Sequence, residues 1–455
     1  MTKDMTKGFP MKIIVNFCLP LLVGSLFQQL YNMVDAIVVG KFVGNDALAA
    51  VGSTGCITFL VFGFVIGLAN GFAIDFSQSF GGGNYERMRR FIGNSIILSV
   101  GFSIVLTLIT VFTARPLLRL MQTPEELLDY AAVYLIIVFS ALSATLFVNL
   151  INSILRAVGD SKTPLMFLIV GMLLNIGLDL LFVTVFNLAV IGVAVATVIA
   201  QILSGALCLL YIRQHHPVLR LSKNDLKPNK AMLLSLLGKG CPMAFQYSIT
   251  AVGTIIVQAA VNSLGSDIVL VMSVAMRLQL FAIMPFETLG TAMASYCGQN
   301  MGARKLKRVK KGIKQAVILA LICAVICFIA LVFFNKPMSM LFLYEEVPDV
   351  VRLIDRYFKS TAVFYPFIAL LFVFRNALQG IGYGFLPLLG GVIELGSRIL
   401  ITVCFVGAFG FNAVCFASPL AWILSSVFLV IVYMALRKNM HAKIRRNAIG
   451  SGNAA

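Results

Sequence analysis

Charge is scarce in this chain. Only 12% of its 455 residues are Asp, Glu, Lys or Arg, about half the share in an ordinary soluble domain. Histidine is scarcer still, with three residues, His215, His216 and His441, all in polar loops or tails. An enzyme working inside a membrane needs a His, Cys or Ser constellation within its apolar runs, and the histidines supply none. The nine cysteines contain no CxxC pair and mostly sit inside apolar runs, among them Cys18, Cys56, Cys208, Cys323 and Cys327. They read as small buried hydrophobes rather than disulfides or metal ligands. The alternation of a barrel strand is missing too. The first apolar run has no small-residue cleavage site and continues as a full span, so no cleavable signal peptide is expected.

What remains is hydrophobic. Apolar residues make up 60% of the chain and the mean hydropathy is +0.96. Runs of the roughly 20 residues that cross a bilayer recur throughout, and backbone groups in lipid pair internally only in helices or closed barrels. The fold class expected is therefore an all-α polytopic membrane protein. Hydropathy gives about twelve transmembrane helices: 13–39, 53–78, 91–113, 128–155, 163–186, 188–213, 236–263, 270–298, 313–334, 350–379, 386–408 and 412–436.

The chain also repeats itself. Leu155-Arg156-Ala157-Val158-Gly159 with Pro164 returns as Leu378-Gln379-Gly380-Ile381-Gly382 with Pro387, both at an offset of 223 (382 − 159, 387 − 164). Gln78 and Gly81 return as Gln299 and Gly302, and Pro20 returns as Pro242. Two homologous six-helix lobes are expected, 1–212 and 236–436, joined by a cytoplasmic linker over 213–235 and followed by a basic tail over 437–455. Duplicated halves are a common plan for transporters, with the substrate site at the repeat interface.

The net charge of +18 lies mostly in alternate loops. Arg87, Arg89 and Arg90 follow helix two, Arg220 to Lys230 follow helix six, and Arg304 to Lys311 follow helix eight. The intervening loops are acidic or bare, as at Glu125-Glu126, Asp267 and Tyr344-Glu345-Glu346. The positive-inside rule then places both termini in the cytoplasm of a multi-pass protein, and explains the charge without a nucleic-acid partner.

Ionisable residues deep in a membrane helix are costly and mark function by default. Helix one carries Ser25, Gln28, Asn32 and Asp35 at helical spacing on one face, with Pro20 at a point where the helix should bend or break. Helix five carries Asn175 and Asp179, one turn apart, and helix six offers Thr197. Counted at 1.5 Å per residue, Asp35, Asp179 and Thr197 fall about 6, 10 and 13 Å from the outer helix ends, so they can share a site. Two carboxylates, an amide and a hydroxyl are hard ligands suited to Na⁺ or a proton rather than a transition metal. Polar faces also run through Asn149 and Asn152 on helix four, and Gln246 and Thr250 on helix seven. In the second half Glu394 and Arg398 suggest an internal ion pair. Glu287 reads either as a second proton site or as a partner for Arg277 or Arg375. At the repeat offset Arg398 stands opposite Asn175.

The segments Gln29-Leu30-Tyr31-Asn32-Met33-Val34-Asp35, Leu48-Ala49-Ala50-Val51-Gly52, Leu155-Arg156-Ala157-Val158-Gly159-Asp160 and Gln299-Asn300-Met301-Gly302-Ala303, with Pro20, Val39-Gly40, Asn175 and Asp179, carry a resemblance. Over essentially its whole length the chain resembles the multidrug and toxic compound extrusion family. That resemblance implies a V-shaped pair of six-helix lobes, a monomer in a bacterial inner membrane, and no enzyme activity or cofactor. It implies antiport: Na⁺ or H⁺ inward, amphipathic and often cationic drugs outward. The family's first-lobe cation site maps onto Asp35, Asn175, Asp179 and Thr197, and its bending proline onto Pro20. Gln28, Asn32, Asn149, Asn152, Gln246, Thr250 and Glu287 are then the expected cavity residues, in contact with drugs and membrane lipids. The chain departs from those members that place an acidic residue on helix seven, having Gln246 and Thr250 near that position. A flippase for a lipid-linked precursor is the alternative on the same architecture; it would call for a more basic cavity than Arg277, Arg375 and Arg398 provide.

Overall fold

Prolines and glycines organise the helices. In the computed structural model, which describes residues 3–121, 123–342 and 347–438, every regular element is helical and no strand occurs among the described residues. The acidic loop at Tyr344-Glu345-Glu346, His441 and the tail beyond Lys438 lie outside the described residues. Two compact units result, one of residues up to Asp4 plus Leu19–Ala244, the other of Met5–Cys18 plus the chain from Phe245. The boundaries fall beside Pro20 and Pro242, so the first helix of each repeat belongs to both units. Both helices are continuous through their prolines, so of the bend or break expected at Pro20 the break does not occur.

The first unit contains α1 (Pro10–Val38) from Leu19 onward, α2 (Asn45–Ser53), α3 (Gly55–Gly81), α4 (Tyr85–Leu120), α5 (Glu125–Ser140), α6 (Leu142–Ala157), α7 (Lys162–Leu180), α8 (Ala189–His215) and the start of α9 (Lys230–Asn262) as far as Ala244. The second contains the rest of α9, then α10 (Ser266–Gly302), α11 (Leu306–Phe333), α12 (Asn335–Met340), α13 (Pro348–Thr361), α14 (Tyr365–Ile381), α15 (Phe385–Cys404), α16 (Val406–Phe409) and α17 (Phe411–Leu436). Among the described residues eleven stretches are long and apolar enough to cross a membrane, and α5 with α6 taken as one span makes a twelfth. The fourth predicted span is thus two helices, bent by 50° at Ala141.

The duplicated glycines have a common cause. Gly159 and Gly382 adopt φ of +82° and +97°, the left-handed turn that ends a helix at small cost only for glycine. The same closing bonds follow in each repeat, Asp160 N to Leu155 O at 2.9 Å and Tyr383 N to Leu378 O at 3.0 Å. Gly159 also faces the carbonyl of Lys3 so closely that a Cβ would collide with it.

After that turn Asp160 starts α7. Its Oδ1 accepts from the amides of Lys162 and Thr163 at 3.1 and 3.0 Å, and its Oδ2 from the Thr163 hydroxyl at 2.8 Å. His216 Nε2 lies 3.4 Å from Oδ2. Burial works against the Asp160 charge, but His216 and the Thr163 hydrogen bonds outweigh it and hold the carboxyl well below the usual range. A depressed carboxylate stabilises the fold above its unfolded pKa of about 3.9, and that contribution disappears as pH falls through the folded value. Asp160→Asn should therefore lower the thermal midpoint at pH 7, with the gap to wild type closing below about pH 4. A gap unchanged on acidification would contradict this.

α3 and the first half of α9 approach closely within the first unit. A Cβ on Gly71 would stand 2.5 Å from Gly240 Cα, and one on Gly67 would stand 2.6 Å from the Met243 carbonyl. Small residues four apart let helix backbones touch, the packing favoured in lipid.

Candidate cation site and its family

Asp35, on α1, and Asp179, on α7, are 144 residues apart in sequence (179 − 35) and meet at one amide. Asn175, on the same face of α7 as Asp179, has a terminal side-chain atom 2.9 Å from both Asp35 Oδ1 and Asp179 Oδ2. With nitrogen in that position it donates to both carboxylates. The other amide atom lies 3.4 Å from Thr197 Oγ1 on α8, and the Thr197 hydroxyl donates to its own helix at Val193 O, 3.0 Å away. Asn175 and Asp179 are almost completely buried, at 1% and 0% exposure, while Asp35 and Thr197 are half-buried. Asp179 Oδ1 is buried and finds no hydrogen-bond partner among the described residues. All four residues proposed from the sequence are thus adjacent.

Two tyrosines complete the site. Tyr31, one helical turn before Asp35, stands beside Asp35 and Thr197. Tyr134 on α5 stands close enough to feel the charge of both carboxylates. Tyr31 was findable from its spacing to Asp35. Tyr134 was not, because nothing local to α5 marks which helix it will face. Beyond the carboxylates α1 and α7 each pass into a π-turn, Val39–Val43 and Leu181–Val185, a distortion frequent at functional sites. Val38, Val39, Ala47, Val183, Val190 and Val193 pack together there in an apolar cluster.

The other expected residues are placed less uniformly. Gln28 is half-buried and Asn32 exposed on α1. Asn149 donates to Thr145 O on its own helix at 2.8 Å, and Asn152 is half-buried beside it on α6. In the second unit Gln246 is buried and accepts from Gln379 Nε2 at 2.8 Å, while the Thr250 hydroxyl donates to Gln246 O. Glu287 is exposed on α10 and makes no ion pair among the described residues. Its expected partners are occupied elsewhere: Arg277 stacks over Phe342, 5.9 Å from the ring centroid, and Arg375 pairs with Glu394. The sequence reading did not anticipate the ion pair between α3 and α9. Asp75 on α3 pairs with Lys239 on α9 and accepts from Ser235 Oγ at 3.2 and 3.1 Å.

The profile of the family described as MatE matches this chain twice, over residues 20–181 and 242–406. The chain belongs to the MatE family of transporters. The two matches start 222 residues apart (242 − 20), so the repeat is a duplication of the family unit itself. A probable multidrug resistance protein of Bacillus subtilis, YpnP, is 34% identical over 380 residues, covering 83% of this chain and 84% of its own. The multidrug export protein MepA of Staphylococcus aureus is 21% identical over 94% of both chains. Among solved structures, an outward-facing multidrug resistance MATE transporter superposes with a TM-score of 0.89 at 21% identity, over 96% of this chain and 98% of its own. This chain is accordingly a multi-pass membrane transporter and not an enzyme.

Proposed function

We propose that this MatE transporter is a multidrug efflux antiporter that exports amphipathic, often cationic drugs in exchange for Na⁺ or H⁺ moving inward. The observation that carries the reading is the meeting of Asp35 and Asp179 at Asn175 inside an apolar unit. Two ionised carboxylates at that distance repel each other strongly when water is excluded. A monovalent cation relieves the repulsion, either as Na⁺ held by the carboxylates with Asn175 and Thr197, or as a proton on one carboxyl. Tyr31 and Asn175 can turn donor or acceptor groups toward either occupant. The relatives named for multidrug resistance and export support the drug side of the exchange.

A cation drives transport only by favouring one conformation over another. Its entry cancels one of the pair's two negative charges and lets the surrounding helices close on it. Pro20 leaves the helix-one backbone one hydrogen bond short, so α1 can bend there when the site fills and thereby expel the drug. Gln28 and Asn32 lie on the Asp35 face of α1, where a bend would move them together. The protein acts in the bacterial plasma membrane as a monomer, without a cofactor, with both termini in the cytoplasm.

The reading is tested with purified protein in sealed liposomes loaded with a fluorescent cationic dye. An imposed Na⁺ gradient or pH gradient, applied separately, should drive dye movement, and the effective gradient names the coupling ion. Failure of both gradients, together with leaflet exchange of a fluorescent lipid, would replace antiport by a flippase.

A further inference from the structure

The polar interior of the second unit has the opposite charge from that of the first. Arg375 on α14 and Arg398 on α15 both reach Glu394 on α15. Arg375 Nη2 pairs with Oε1, and Arg398 Nη2 lies 3.5 Å from Oε2. The three residues are 6%, 7% and 3% exposed. Two guanidiniums to one carboxylate leave a net charge of +1. The other described carboxylates of the second unit do not balance it: Asp349 pairs with Arg352, Asp355 with Lys359, Asp267 opens α10, and Glu287 is exposed.

The cluster is also short of acceptors. Among the described residues Arg375 Nε and Arg398 Nη1 are buried without a hydrogen-bond partner. The nearby amides are engaged with other groups, Gln379 with Gln246 and Gln279 with the Tyr357 hydroxyl, each at 2.8 Å. Gly253 on α9 faces the free Nη1, and a Cβ there would stand 3.0 Å from it, so glycine keeps this flank open. A buried ion cluster that serves packing alone tends to balance its charges and satisfy its donors. This one does neither. It also occupies a meaningful register, since the repeat offset of 223 sets Arg398 against Asn175 (398 − 175) and Arg375 against Asn152 (375 − 152).

We propose that Arg375 and Arg398, steadied by Glu394, form an oxyanion site that takes the carboxylate or phosphate group of an otherwise apolar molecule. The planar guanidinium fork suits a two-oxygen anion. The molecule's use as a substrate rests on the transport reading above; its binding does not. Zwitterionic or anionic amphiphiles would then be ligands alongside cations.

Equilibrium binding to the purified full-length protein in phosphatidylcholine nanodiscs tests this without any ion gradient. The probes are a xanthene dye bearing a free carboxylate and its ethyl ester, followed by fluorescence polarisation. Loss of a charge-assisted hydrogen bond weakens binding by about tenfold or more. Arg398→Gln, which leaves Glu394 paired with Arg375, should weaken the carboxylate dye by about that factor and change the ester less than twofold. Arg398→Lys, keeping the charge without the fork, should fall between. Phosphatidylglycerol added to the nanodiscs should weaken carboxylate-dye binding to wild type if a lipid phosphate is the occupant, and leave it unchanged if the occupant is a soluble substrate. Equal effects of Arg398→Gln on both dyes, or an effect on neither, would overturn the proposal.

Discussion

Asp179→Asn should abolish gradient-driven export, by about a hundredfold or more, the upper range of coupling between two sites, while the protein still folds and inserts. The substitution keeps the volume of a side chain that is 0% exposed and removes the charge that attracts the cation. Asn175 would still bridge to Asp35 at 2.9 Å, so the local packing has little reason to collapse. The neighbours should follow in order of their hold on the site. Asp35→Asn should match Asp179→Asn, because either carboxylate alone lacks the paired charge. Asn175→Ala should cost about tenfold, the loss of one buried hydrogen-bonding group to charged partners. Thr197→Val should cost least, since its hydroxyl already bonds its own helix at 3.0 Å. Dye efflux rates from liposomes containing matched amounts of each variant read this series. Wild-type rates in Asp179→Asn would remove the acid pair from the mechanism.

The second large effect concerns stability. Lys239→Met should destabilise the protein by about 3–5 kcal/mol, the usual cost of stranding one partner of a buried ion pair. Its partner Asp75 has a side chain only 5% exposed, against 15% for Lys239. The Ser235 hydroxyl would remain as a donor to Asp75, and it cannot replace a full charge. Adding Asp75→Asn should restore most of the loss, because no uncompensated charge then remains. Gly67 and Gly71 hold α3 against the same stretch of α9, so the pair sits beside a backbone contact with no room to shift. Thermal unfolding in detergent of the two single variants and the double variant provides the cycle. A double variant as unstable as Lys239→Met would show that the pair's charges are not what matters.

Much of this arrangement was legible before any coordinates. Long apolar runs can only be helices in lipid, and the repeat of Gly159 at Gly382 announced a shared backbone device that the φ values explain. Asp35, Asn175 and Asp179 stood out because a polar group inside a membrane helix is expensive. What escaped depends on contact between distant segments. The 50° bend at Ala141 has no proline or glycine to mark it, so hydropathy reads one span. Tyr134 and Lys239 become meaningful only when another helix lies beside them. The same limit left Arg375 as one of several alternatives for Glu287, since only packing reveals that Glu394 accepts both arginines.

If the Asp35–Asn175–Asp179 cluster couples a cation to drug exchange, an outward drug gradient, imposed on liposomes with no ion gradient, should drive the coupling ion the opposite way, since coupled exchange runs in either direction. Ion flux would be followed by ²²Na⁺ uptake and by an internal pH dye, in wild type and in Asp35→Asn/Asp179→Asn. The account predicts drug-driven uptake of one ion in wild type and none in the double variant. Equal ion uptake by both proteins would contradict it.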